Sequence, residues 1–302
     1  MNNKLLISGV LGLGTCMIYT PIHAGEAQAQ SKPNVLIIYT DDMGAGDVSF
    51  LNNGWVKTPN IDKLASGGLI VTNYYSSSPV SSPSRVGLTT GRFPTEMGIN
   101  CYLQTRKGNT ACEQFDYLDA SVPTMAKVMK SAGYTTGHFG KWHMGGGRDV
   151  IDAPQITEYG FDEYISTWES PNPDPVITDS AWIWSRTDQV KRWDRTAYFV
   201  DKTLDFLKRH KGEPCFVNLW PDDMHTPWVP SQKTMDSERT SWTTPPNFKE
   251  VLTEYDKQIG RLMEGLTKLG LEKNTIVIFT SDNGPAPSFQ QMRTNSLLGV
   301  KC

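Results

Sequence analysis

Ser81, Pro83 and Arg85, followed by Gly91-Arg92, have residue types and spacing suited to chemistry on an anion. The proline sets φ at about −65° and leads into a helical turn, so Ser81 is expected at or just before a helix N-terminus. Unpaired N–H groups and a partial positive charge at that end stabilise an attacking oxygen or a bound oxyanion. Arg85 lies one turn on, on the same helix face, and its planar fork suits a negative partner. Elsewhere Asp41 and Asp42 stand side by side after an apolar run. Adjacent carboxylates at the end of a buried strand are costly to desolvate unless a divalent cation lies between them. Lys141 and His143 alternate by two, so an extended backbone projects both from one face, where they can bind a dianionic ester or shuttle a proton.

These residues need a scaffold, and the apolar runs supply one. Residues 35–39 are continuously apolar and β-rich, as in a central strand of a parallel sheet covered on both faces. Residues 134–139, 215–219 and 275–279 read as further strands, and 69–75 as a strand leading to the Ser81 loop. Polar motifs follow these strands directly, at the carboxyl edge where open α/β sheets bind ligands. Helices are expected over 60–66, with Asn60 as cap and Gly67-Gly68 as stop, and over 122–131, 196–210 and 247–269. Residues 146–195 are irregular, with Pro171, Pro173, Pro175 and Trp168, Trp182, Trp184 and Trp193. Loops at such an edge carry recognition, and indole faces suit sugar rings or fill a minor core.

The 302 residues carry a net charge of −3 and no basic stripe, which excludes a nucleic-acid binder. Asn2, Asn3 and Lys4, the apolar run 5–19 and Ala27-Gln28-Ala29 have the pattern of a cleaved secretion signal over 1–29. Residues 30–302 would then be the mature part, periplasmic or secreted, with no membrane span. Cys101 and Cys112 flank a polar loop and could pair in an oxidising compartment, whereas Cys215 reads as a buried thiol. His138 and His210 read as ordinary strand and helix-end residues.

Ser81-Ser82-Pro83-Ser84-Arg85 with Gly91-Arg92, and Gly140-Lys141-Trp142-His143, closely resemble the two signatures of the sulfatases of the alkaline-phosphatase superfamily. Asp41-Asp42 after the first strand, His225-Thr226-Pro227, Ser281-Asp282-Asn283-Gly284-Pro285 and Gly299-Val300-Lys301 resemble further elements of that family, in family order. The resemblance implies an α/β fold with a mostly parallel central sheet and helices on both faces. It implies conversion of Ser81 to formylglycine by a sulfatase-maturing enzyme, in the manner of the serine-type bacterial branch. It also implies one calcium ion held by Asp41, Asp42, Asp282, Asn283 and an oxygen on residue 81, and an all-oxygen set favours calcium over zinc. Arg85 would lower the cost of ionising the attacking hydroxyl, and Asp282 would take its proton. Lys141, His143 and Lys301 would hold sulfate oxygens, and His225 or His143 would protonate the leaving alcohol. The implied activity is hydrolysis of a sulfuric ester, with a sulfated carbohydrate as substrate. Alternatives are a phosphoester hydrolase of the same superfamily and an inactive glycan-binding remnant. Family members continue past the final lysine into a small C-terminal subdomain, so residues 30–302 are expected to be a catalytic domain incomplete at that end.

Overall fold

Five parallel strands lie in the order β3-β2-β4-β1-β5 in the computed structural model: β1 Asn34–Thr40, β2 Thr135–Gly140, β3 Glu163–Ser166, β4 Cys215–Trp220 and β5 Thr275–Ser281. The structure describes residues 32–52, 54–178, 184–236, 243–287 and 293–294. The expected leader over 1–29, Trp182 and Lys301 lie outside these. The helices are α1 Pro59–Ser66, α2 Ser81–Thr90, α3 Arg106–Ala111, α4 Met125–Ser131, α5 Arg195–Arg209, α6 Gln232–Asp236 and α7 Pro245–Leu269.

Side chains alternate between the two faces of a strand, and the two faces of this sheet bury separate cores. Leu36, Ile38, Val217 and Leu219 pack under α5 and α7 against Phe199, Phe206, Leu252 and Ile259. Ile37, Tyr39, Phe216 and Trp220 face Val86 of α2, Trp142, Tyr159 and Phe161 on the other side. This is the expected α/β architecture with both faces covered. His138 sits among Trp142, Phe161 and Trp220, and burial lowers its imidazole to about 3. It is therefore a neutral core residue.

Register does the positioning. Thr40 pairs with Ser281, so Asp41 and Asp282 leave adjacent strands side by side. Gly140 pairs with Trp220 and has φ 132°, and a Cβ there would lie 2.0 Å from the Trp220 carbonyl oxygen. Only glycine lets β2 approach so closely before the chain turns into Lys141.

Some expectations change. Residues 69–75 form no strand, and Leu69 and Tyr75 are 88% and 82% exposed. Strand propensity acts only where a neighbouring edge and a face to cover are present. The helix expected from Asn60 begins at Pro59 and has no side-chain cap of its own. Asp256 of α7 accepts instead from the Asn60 and Ile61 amides at 3.1 and 2.9 Å and from Asn60 Nδ2 at 2.8 Å. The short β3 was not read from sequence. Cys101 and Cys112 are free thiols. Among the described residues no helix is long and apolar enough to cross a membrane.

Asp256 thus satisfies two otherwise unpaired amides at a helix start across 195 residues of sequence. Replacing it with alanine is expected to cost about 1–3 kcal/mol of stability, measured by urea denaturation, because those donors lose their partner in a part-buried place.

Candidate functional site

The first turn of α2 places Ser81 and Arg85 beneath the ends of β1 and β5. Arg85 is fully buried and donates from Nε to Ser81 Oγ at 2.8 Å. Its Nη2 donates to Asp41 Oδ1 at 3.1 Å and to Asp282 Oδ2 at 3.0 Å, and Tyr39 and Trp220 flank the guanidinium. One cation therefore ties the serine to two carboxylates on neighbouring strands. Asp42 takes φ 58°, a left-handed conformation a non-glycine residue holds only when its surroundings demand it. Here its amide donates to Asp282 Oδ1 at 3.0 Å, and its carbonyl accepts from the buried Arg293 at 2.7 Å.

Asp41, Asp42 and Asp282 each offer a carboxylate oxygen within 4.8 Å of the others, and all three are buried. Burial first, then the Asp41 charge, pushes the Asp282 carboxyl up to about 7. Asn283 donates from Nδ2 to Asp42 Oδ1 at 2.7 Å, while its buried Oδ1 has no hydrogen-bond partner. Three crowded carboxylates and an orphaned amide oxygen form a donor set that fits a hard divalent cation.

Lys141 and His143 reach the same place from the end of β2. Lys141 Nζ lies 3.0 Å from Asp41 Oδ2 and 3.5 Å from Glu169. Burial lowers its ammonium, but Asp41 and Glu169 outweigh burial and raise it. His143 Nε2 lies 3.0 Å from the Leu103 carbonyl, and because a carbonyl only accepts, that nitrogen carries a proton. Nδ1 then faces Ser81 Oγ at 3.4 Å and Glu169 Oε2 at 3.5 Å. Burial lowers the imidazole to about 3 against the upward pull of Glu169, so the resting ring is neutral. Burial raises the Glu169 carboxyl, but the neighbouring basic groups hold it down at about 2. His225 Nε2 lies 3.7 Å from Asp42 Oδ2, and its Nδ1 lies 2.5 Å from the Thr226 carbonyl.

Every expected site residue within the described part, namely Ser81, Arg85, Asp41, Asp42, Lys141, His143, His225, Asp282 and Asn283, is brought to this sheet edge. Sequence reading missed Glu169, which sits in the irregular loop after β3 and follows no motif. It also missed the brace beneath His225. Arg192 donates to the Asp222 carbonyl at 2.6 Å, to the His225 carbonyl at 3.1 Å and to Asp222 Oδ2. Arg195 donates to Asp222 Oδ2 at 3.0 Å and to Asp188 at 3.2 Å. Two arginines three apart, one in the turn before α5 and one at its first position, were the available cue. Asp223 accepts from the Thr196 amide at 3.1 Å, and burial pushes its carboxyl up to about 6.

Residues 33–296 match the family model described as Sulfatase. An N-acetylgalactosamine-6-O-sulfatase of Bacteroides thetaiotaomicron is 28% identical, across 98% of this chain and 68% of its own length. The human N-acetylgalactosamine-6-sulfatase is 30% identical, across 87% of this chain and 52% of its own. Among solved structures, one described by metabolism of multiple glycosaminoglycans in Bacteroides thetaiotaomicron has a TM-score of 0.70 at 27% identity, over 87% of this chain and 65% of that one. Another, Ps i-CgsB in complex with k-i-k-neocarrahexaose, has a TM-score of 0.67 at 26% identity, over 90% of this chain and 62% of that one. The chain thus spans between about half and two thirds of the length of these proteins.

Two measurements probe the site. A divalent cation taken up by this donor set is expected, at about 100 times its Kd, to stabilise the protein by about 2.7 kcal/mol in a thermal melt, and Asp282→Ala is expected to abolish the shift. Asp223 is raised when folded, so its contribution to stability is present below its ordinary range near 3.8 and is lost as pH rises through about 6. Urea midpoints between pH 4 and 7 are expected to fall less steeply with rising pH in Asp223→Asn than in the parent.

Proposed function

This chain belongs to the sulfatase family, and from that premise we propose that it hydrolyses a sulfuric ester on a carbohydrate, releasing sulfate at the edge formed by β1, β2, β4 and β5. The observation that carries the reading is Arg85. A single buried guanidinium joins Ser81 to two of the three carboxylates suited to a cation, next to a lysine and a histidine. The carbohydrate assignment follows the two N-acetylgalactosamine-6-sulfatases, with a 6-sulfated N-acetylgalactosamine as the first substrate to try. Export to the periplasm or beyond belongs to the same proposal, resting on the 1–29 pattern.

Calcium held by Asp41, Asp42, Asp282, the Asn283 amide oxygen and an oxygen on residue 81 would supply positive charge beside the sulfate. Formylglycine made from Ser81 by a maturing enzyme would supply, when hydrated, a nucleophile whose second hydroxyl lets sulfate leave again. The remaining tasks fall to the chain's own side chains. Arg85 Nε, already donating to the oxygen on residue 81, favours that oxygen's ionised form. His143 Nδ1 faces the same oxygen as an unprotonated acceptor, and Glu169 beside it stabilises the imidazolium formed when the proton arrives. His143 suits that role better than Asp282, whose two oxygens are engaged by the Asp42 amide and Arg85. Lys141, pinned between Asp41 and Glu169, presents its charge to the sulfate oxygens. Lys301 belongs to the same proposal through its motif.

With His143 facing the nucleophile, the leaving oxygen falls to His225. Its Nδ1 donates to the Thr226 carbonyl, so donation to the alcohol comes from Nε2 of the imidazolium, which Asp42 stabilises.

The test is turnover by matured protein. Ser81→Ala is expected to abolish sulfate release while the melting curve is retained. His225→Ala is expected to lower kcat on a sugar sulfate by about 10²- to 10⁴-fold but to spare an aryl sulfate with a good leaving group. Equal losses on both esters would remove His225 from the acid role.

A further inference from the structure

In the brace beneath His225, Asp222 Oδ1, Arg192 Nε and Arg195 Nε are buried without hydrogen-bond partners, and of the three Asp222 Oδ1 is the acceptor. Asp222 is 3% exposed and lines the pocket that also holds Lys141, Trp168, Glu169 and His225. Arg192 and Arg195 both donate to its Oδ2, and Oδ1 has no hydrogen-bond partner. Burial would raise this carboxyl, but the two guanidiniums lower it, so it is ionised and can only accept. A buried carboxylate oxygen without a donor is costly, and the cost is removed by any ligand that brings one.

The pocket narrows the choice of donor. The Lys141 ammonium is engaged by Asp41 and Glu169, the terminal nitrogens of both arginines are taken by Asp222 Oδ2, Asp188 and carbonyls, and neither arginine Nε bonds Asp222 Oδ1. The sulfate group of the ester is ionised at neutral pH and has no proton to give. A second cation is poorly placed, because Arg192 and Arg195 already crowd the carboxylate. What remains is a neutral donor on the alcohol part of the substrate, and a ring hydroxyl is the donor that every sugar sulfate carries. Trp168 lines the same pocket, largely buried, with Arg148 stacked over its ring at 4.7 Å.

We propose that Asp222 is a specificity-determining residue of this pocket, its Oδ1 accepting a hydrogen bond from a ring hydroxyl of the sugar that carries the sulfate. This rests on the sulfuric-ester reading and adds to it how the enzyme tells a polyhydroxylated alcohol from one without hydroxyls. A site built to pair a substrate hydroxyl rejects the analogue lacking it, because the protein acceptor is then left alone in a dry place.

The experiment uses the full matured chain, a panel of sulfated monosaccharides and, for the one bound most tightly, its set of mono-deoxy analogues. Binding is followed by calorimetry and turnover by sulfate release, for the parent and for Asp222→Asn. In the parent, removal of one particular hydroxyl is expected to weaken binding and kcat/KM by about tenfold or more. In Asp222→Asn the same removal is expected to cost less than about twofold, since the partner is already impaired. A purely structural role would lower hydroxylated and deoxy substrates alike and keep the penalty intact, which overturns the inference. So does a parent protein in which no single deletion matters, an arm that needs no variant to fold. In either case sulfate release stands and only Asp222's role is lost. Failure of the parent to bind or cleave any sulfated sugar overturns the sulfuric-ester reading and this inference together.

Discussion

A guanidinium out of contact with water, shared by two aspartates and a serine, is the constraint on which the rest of the structure depends. Desolvating such a cation costs several kcal/mol, and so does each carboxylate beside it. Arg85 offsets that cost by placing Nη2 between Asp41 and Asp282 and Nε on Ser81, with aromatic rings of Tyr39 and Trp220 nearby. The aspartates depend on it equally. Three carboxylates crowd one sheet edge, where burial first and then the Asp41 charge raise the Asp282 carboxyl, and Arg85 and Lys141 balance only part of the negative charge. The surplus negative charge is what makes the place suitable for a cation.

The strain at this edge is local and is held from several directions. Asp42 and His143 both adopt left-handed backbone, at φ 58° and 51°. Such residues cost on the order of 1–3 kcal/mol each and persist when neighbours over-determine them. Asp42 is fixed through its amide by Asp282 and through its carbonyl by Arg293, and the His143 amide donates to the Glu169 carbonyl at 2.9 Å. The parallel sheet beneath supplies rigidity, with buried side chains on both faces, and the irregular segments above it are anchored by packed residues such as Trp142, Met144 and Trp228.

That arrangement also separates two histidines that resemble each other in sequence. His143 is buried, gives its Nε2 proton to a carbonyl and turns Nδ1 toward Ser81. His225 is partly exposed, gives its Nδ1 proton to the Thr226 carbonyl and turns Nε2 toward Asp42. Which nitrogen meets an acceptor-only carbonyl is opposite in the two rings, and this points Nδ1 of one at the nucleophile and Nε2 of the other at the pocket.

The strands at 35–39, 134–139, 215–219 and 275–279, and the residues that follow them, were readable because a buried parallel strand needs an unbroken apolar run and its end is where polar ligands collect. Local chemistry also marked Ser81 as a helix start, since proline two residues on constrains the backbone whatever surrounds it. Tertiary structure alone decided the rest. It left 69–75 without a partner strand, made Asp256 the cap of a helix 195 residues away, and brought Glu169, Arg192, Arg195 and Asp222 under the two histidines. Those contacts join segments far apart in the chain, and their residues obey no local period. Which oxygen of Asp222 the arginines take, and which nitrogen of His143 faces Ser81, depends on atoms several strands away, so neither could be inferred before the chain was folded.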